Sequence, residues 1–249
     1  MAITDIQFTA TTSLEFQPGG VVLAELAHAD DEFEIAHGLA GAAAARDAGL
    51  IARVMVHYAT DSAASSNPGH RPNQDRTQET LDSLLSVFGI PADDVMFGDL
   101  PDGTLSPTDP TVVESVLDSM RVAGATDVLT LGAGSTNPTY PNHSDHSAVH
   151  QAVLIARDRG VNVWGLGPDS QATAHATGSL ATKLAVMTQH GSQFTAIDRA
   201  EWPEAWGANL PTGWRLVGGF AVDAYTAGVL DRYQDILHQE HYVRYPKDP

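Results

Sequence analysis

Short apolar runs alternate with helix-like segments along most of the chain. Val21–Ala27 (VVLAELA) reads as a first strand, ended by a burst of acids. Ile35–Asp47 is Ala-rich and helix-prone, with Gly49 as a stop. Ile51–Ala59 (IARVMVHYA) reads as a second strand, and a long polar loop, Thr60–Asn73, follows it. Gln74–Phe88 carries Leu81, Leu84, Leu85 and Phe88 at helical spacing. A brief third strand, Val95–Gly98, leads to the turn Pro101-Asp102-Gly103, and Thr111–Ala123 is helical through Val112, Val113, Val116, Leu117 and Met120. Asp127–Leu131 (DVLTL) is a buried fourth strand running into the Gly/Pro-rich loop Gly132–Asn142. Ser144–Arg159 is the next helix, and Val161–Leu166 (VNVWGL) the fifth strand.

Strand, helix, strand at this spacing implies parallel strands joined by right-handed crossovers. The expected fold is α/β, a Rossmann-like, doubly wound, mostly parallel sheet. Beyond Leu166 the pattern weakens: Ala181–Gln189 looks helical, and Trp214–Tyr225 is strand or irregular. Without an internal repeat or a clean linker, residues 1–249 read as a single domain. Its motif-bearing core spans about 20–194, and an irregular C-terminal part, about 195–249, is left for substrate or oligomer contacts.

Composition narrows the chemistry. Asp and Glu total 31 against 13 Lys and Arg, a formal net charge of −18 in 249 residues. Nucleic-acid coating and anionic membrane surfaces both need a basic face, so neither is an expected partner. The N-terminus lacks a signal-like apolar core and no run approaches bilayer-spanning length, so the expected location is cytoplasmic. There is no cysteine, which removes thiolate nucleophiles and every sulfur-based metal site. Any metal must sit on His, Asp and Glu.

Two clusters answer to that. His28-Ala29-Asp30-Asp31-Glu32, with Glu34 close behind, stands at the carboxyl end of the first strand, where ligands bind in open α/β sheets. Acids so crowded repel one another, and a divalent cation would neutralise them. A solvated acidic helix start is the plainer alternative. The second cluster, His143-Ser144-Asp145-His146, opens a helix after the fourth strand, and His150 follows one turn later. Here too a surface helix start with solvated histidines is the alternative. Together the clusters say more, because the first and fourth strands can lie side by side in a doubly wound sheet. Three ligands from His28, Asp31 and one of His143 or His146 leave an open coordination position, the pattern of a catalytic metal. Asp30 is then placed to act as general base.

AHADDE with a later HSDH resembles the PIG-L/LmbE-type zinc-dependent deacetylases, whose patterns are AHPDDE and HPDH. Both prolines are replaced, by Ala29 and Ser144, and every chemically active position is kept. Arg76, Glu79, Pro101-Asp102-Gly103-x-Leu105, Asp127-Val128-x-Thr130, Lys183 and His190-Gly191-Ser192-Gln193 add matches along the chain. The resemblance implies that His28, Asp31 and His146 bind one Zn2+, a site type that also accepts iron or cobalt. It makes Asp30 the base that activates water and His143 an imidazolium donor to the oxyanion, oriented by Asp145. Arg76 and Asp102 would bind sugar hydroxyls, and Tyr140 lies near the place of a tyrosine that acts on the oxyanion. Thr60-Asp61-Ser62-Ala63 stands where family members tend to carry T-x-G-E.

The implied activity is hydrolysis of the acetyl or other acyl group from the nitrogen of an amino sugar, glycoside or related conjugate, with a small N-acylated molecule as partner and homo-oligomerisation left open. Two other readings stand beside it: a Rossmann-type binding protein, and a family member that has lost hydrolysis. Among the remaining histidines, His57 reads as a core residue in its strand. His37, His175, His190, His238 and His241 lack partners at ligand spacing. Trp202, Trp206 and Trp214 read as packing residues or as a substrate wall.

Overall fold

The structure, a computed structural model, describes residues 11–63, 76–132, 143–157, 160–198, 201, 203, 210–232 and 234–245. Most of the loop expected at Thr60–Asn73, the Gly/Pro-rich loop before His143, Tyr140, Trp202 and Trp206 lie outside those residues. Among the described residues no helix is long and apolar enough to cross a membrane.

The alternating pattern folds as expected. β1 (Thr11–Thr12), β2 (Val21–Leu26), α1 (Ala36–Asp47), β3 (Arg53–Thr60), α2 (Arg76–Phe88), β4 (Val95–Leu100), α3 (Pro110–Ala123), β5 (Asp127–Thr130), α4 (Ser144–Arg157) and β6 (Asn162–Leu166) succeed one another. β2 pairs in parallel with both β3 and β5, while β4 and β6 extend the sheet on either side. The parallel part therefore reads β4-β3-β2-β5-β6, and the strand order reverses between β2 and β5. β2 is covered on both faces, which is why its sequence is a continuous apolar run rather than an alternation. Val22, Ala24 and Leu26 pack with α1, α2 and a later helix, α5 (Leu180–Gln189). Leu23 and Ala27 pack with α3 and α4.

One polar residue interrupts this run. Glu25 is fully buried, and its carboxylate accepts from His57 Nδ1 at 2.5 Å and Ser119 Oγ at 2.7 Å. His57 is thus the core histidine its strand position predicts. Helix ends follow local chemistry: Asp109 accepts from the Thr111 amide ahead of α3, and Gly124 ends that helix at φ 62.

The C-terminal region departs most from the sequence reading. β7 (Ala174–Thr177) follows β6, and β8 (Ala196–Asp198), β9 (Arg215–Val217) and β10 (Phe220–Val222) make a separate three-stranded sheet. After α6 (Ala224–Arg232), β11 (Gln239–Tyr245) enters the main sheet between β6 and β7, antiparallel to both. Its sequence, QEHYVRY, carries no apolar run because a buried position is held by Glu240. That carboxylate accepts from the His37 and Gly38 amides, both at 2.8 Å, from Lys183 Nζ at 2.6 Å and from Tyr242 Oη at 2.7 Å. α1 has no side-chain cap of its own residue Ile35, and Glu240 supplies the cap from about two hundred positions away. A side chain on Gly38 would run into the Tyr242 hydroxyl, which fixes glycine at that crossing. Glu240→Ala leaves the Lys183 ammonium buried beside a bare helix start. A loss of about 3–5 kcal/mol in unfolding free energy is expected by urea denaturation.

Candidate active site

Connections leave β2 and β5 in opposite directions, so a crevice opens at their carboxyl ends. β2 runs straight into a tight turn over Asp31–Phe33, closed by the amides of Asp31, Phe33 and Glu34 on the carbonyls of His28, Asp30 and Asp31. Asp31 itself folds the turn back, since its Oδ2 accepts from the amides of Ala27 at 3.0 Å and His28 at 2.8 Å. On the other wall α4 begins at Ser144, which puts Asp145 and His146 in its first turn.

The two motifs meet there. His28 Nδ1, Asp31 Oδ1 and His146 Nε2 lie at mutual distances of 3.4, 3.2 and 3.2 Å. Ligand atoms on a tetrahedral ion with bonds of about 2.0–2.2 Å are about 3.3–3.6 Å apart, so these atoms fit one face of such a site. The second nitrogen of His28 supports this assignment. Nε2 faces Asp145 Oδ2 and Asp102 Oδ1, each at 3.2 Å, which keeps the proton on Nε2 and the Nδ1 lone pair toward Asp31 and His146. His143 lies close enough to His28 and His146 to compete as a donor, and Glu34 close enough to Asp31 and His146.

Electrostatics separate adjacent residues. Burial alone would raise the Asp31 carboxyl, but His146 and His28 outweigh it and hold it well below the usual range. Burial raises the Asp30 carboxyl above its ordinary value; the Arg76 guanidinium opposes the rise and the Asp31 charge adds to it. The imidazoles of His28 and His146 lose proton affinity to burial, yet Asp31, joined by Asp102 and Asp145 at His28 and by Glu34 at His146, more than restores it and both end above their ordinary value.

Several contacts differ from those the resemblance implies. Asp145 was expected to orient His143, but its carboxylate accepts from His28 Nε2, the Gly103 amide at 2.6 Å, the Leu105 amide at 2.9 Å and the Ser144 hydroxyl at 3.1 Å. Those four donors use its acceptor capacity. Asp145 ties His28 to the Pro101–Leu105 turn, and Asp102 of that turn also faces His28. His143 stacks on His146 with ring centroids 4.3 Å apart. Burial, then the neighbouring His146 and His28 rings, pushes it down to about 4, a direction opposite to the imidazolium that the resemblance implies. Arg76 is buried; one arm donates to the Ser62 carbonyl at 3.0 Å and the other lies 3.9 Å from Asp30 Oδ2.

The later matches brace the acidic turn. Lys183 Nζ donates to the Phe33 and Glu34 carbonyls at 2.8 and 3.0 Å. His190 Nε2 and Tyr58 Oη both bond the buried Glu32 carboxylate, and Ser192 bonds Glu79 of α2 through its amide and hydroxyl. Glu32 belongs to the acidic run that the sequence marks, whereas Tyr58, a buried strand residue, has no signal there. Ser62 takes φ 51, a conformation that glycine favours, and its hydroxyl accepts from the Ala29 amide at 2.8 Å. The residues standing in for the family's proline and glycine are thus bonded to each other.

Removing the Asp145 carboxylate frees both His28 and the turn. Asp145→Ala is expected to weaken divalent-metal affinity about 10–100-fold in calorimetric titration. Because metal must displace protons that His28 and His146 hold above their usual range, affinity of the apoprotein should fall as pH is lowered from about 8 to about 6.

Comparison with protein families matches residues 23–157 to PIG-L, GlcNAc-PI de-N-acetylase. No curated protein sequence matches the chain. Among solved structures, N,N'-diacetylchitobiose deacetylase from Pyrococcus horikoshii superposes with a TM-score of 0.59 at 13% identity, over 91% of this chain and 84% of that one. The conserved protein TT1542 from Thermus thermophilus follows at 0.54 and 14%, over 94% and 97% of the two chains. GalB, the 4-carboxy-2-hydroxymuconate hydratase of Pseudomonas putida KT2440, gives 0.53 and 14%, over 92% and 98%. At such identities these three share the fold, and one of them is a hydratase, so fold alone does not set the reaction. The family match covers more than half of the chain and contains the Asp30–Asp31 turn and the helix of His146: the chain belongs to the PIG-L, GlcNAc-PI de-N-acetylase family.

Proposed function

We propose that the chain is a metal-dependent amide hydrolase that removes the acetyl group from the nitrogen of an amino sugar, a glycoside or a related conjugate. The triangle of His28 Nδ1, Asp31 Oδ1 and His146 Nε2, with Asp30 and His143 beside it, carries this reading. Family membership supports it, and the chitobiose substrate in the name of one structural neighbour agrees with an amino-sugar class.

His28, Asp31 and His146 would hold the ion, a Zn2+ on this reading. When bound, it supplies Lewis acidity toward an amide carbonyl and a water of pKa about 7. Asp30 accepts the proton of the attacking water, a task suited to a carboxyl raised by burial. Arg76 stands beside Asp30 and keeps that base charged and aimed. His143, neutral, donates a single N–H to the carbonyl oxygen as that oxygen gains charge. Since His143 carries no extra proton, Asp30 passes its own to the departing amine, and acetate and a free amine result.

Amine release from N-acetylglucosamine, its glycosides and thiol conjugates tests this with metal-replete protein. Asp30→Asn is expected to keep its metal and lose about 10²–10⁴ in kcat. His143→Ala should keep its metal and lose about 10²–10³. Metal-replete protein that releases amine from no member of this panel would sink the reading, and loss of metal in His143→Ala would reassign the ligands.

A further inference from the structure

A second set of ligating side chains lies away from the β2–β5 crevice. His175 of β7 and His241 of β11 are direct partners across the antiparallel ladder, so their side chains leave the sheet on one face. Asp169 reaches the same place from the single turn Asp169–Gln171 between β6 and β7. His241 Nδ1 is 3.1 Å from His175 Nδ1 and 3.2 Å from Asp169 Oδ1. Their sequence separation hid this trio, which only the insertion of β11 brings together.

Hydrogen-bond chemistry makes the meeting unusual. Two Nδ1 atoms approach to 3.1 Å only when one of them is an unprotonated lone pair. Asp169 asks for the proton on His241, so the bare nitrogen belongs to His175. One proton therefore sits among two imidazole nitrogens and a carboxylate oxygen, three atoms within 4.8 Å of one another. A cation in that position would satisfy all three at once. The imidazoles are half-buried and Asp169 is exposed, so an ion enters from solvent and keeps an open position.

We propose that Asp169, His175 and His241 form a second divalent-metal site, separate from the candidate active site. Two nitrogens and one oxygen select a borderline transition ion such as Zn2+, Co2+ or Ni2+ over Mg2+ and Ca2+. The ligands come from β7, β11 and the loop between β6 and β7, so the ion clamps β11 into the sheet. Residue 240, next to one ligand, is the glutamate that caps α1 and pairs with Lys183.

Chelator-stripped full-length protein titrated with Zn2+ by calorimetry, with metal content counted after desalting, tests the site. In the Asp31→Ala background, where the crevice is disabled, one ion per chain is expected to remain. Adding Asp169→Asn, an exposed change that spares the fold, should abolish it, and Zn2+ should raise the Tm of Asp31→Ala but not of the double variant. In the otherwise unchanged protein Asp169→Asn should remove one ion and leave any amidase turnover intact. Zn2+ binding that Asp169→Asn leaves undiminished in both backgrounds, or no ion bound by a folded Asp31→Ala, would overturn the proposal. Neither result bears on the crevice, whose own ion is counted in the Asp169→Asn protein.

Discussion

Four carboxylates, Asp30, Asp31, Glu32 and Glu34, leave the end of β2 within five residues; three are buried and Asp30 is half-buried. An uncompensated buried carboxylate costs several kcal/mol, so this turn exists only where the rest of the chain brings donors to it. β3 contributes Tyr58, α2 contributes Arg76, α4 contributes His146, α5 contributes Lys183, and the segment after α5 contributes His190. Elements spread over most of the sheet and both helix layers thus converge on one short stretch of backbone. The packing of α5 against this turn is as much an electrostatic requirement as an apolar one.

That convergence also divides labour between neighbours. Asp30 and Asp31 are adjacent, yet one is driven up by burial and the other down by two imidazoles. A pair of titratable groups pushed apart in this way separates a proton carrier from a permanent anion. The division is maintained from a distance: Asp145 holds His28 and the Gly103–Leu105 backbone on one carboxylate, so both walls of the crevice share an anchor. Ala29 and Ser62 hold the remaining side with a bond that a proline at position 29 has no N–H to make.

Much of this was legible in the chain itself. Apolar runs of strand length alternating with helical periods specify a parallel, doubly wound sheet, and the position of His28 just after the first strand and of His146 at the helix start on the same side of the sheet follows from that order. Roles that depend on which atom faces which partner were not legible. The pattern HSDH says nothing about whether Asp145 turns to His143 or to His28, and the backbone donors of a turn some forty residues earlier decide it. Nor does a histidine's residue type disclose that burial beside two other imidazoles pushes His143 down. β11 was missed because Glu240, His241 and Arg244 erase the apolar signature of a strand. Their partners, Lys183, His175 and the Trp164 ring, are remote in sequence.

The insertion of β11 has a consequence for the order in which the molecule assembles. Among the described residues β7 and β1 pair into the parallel sheet only through β11, which follows every other described element in the chain. During synthesis the five parallel strands can close while β7 waits without a neighbour on that side. Until residues 239–245 emerge, the start of α1 lacks its cap and Lys183 lacks its carboxylate. The acidic turn is therefore fully braced only once β11 is in place, through the cap that Glu240 puts on α1 and the partner it gives Lys183.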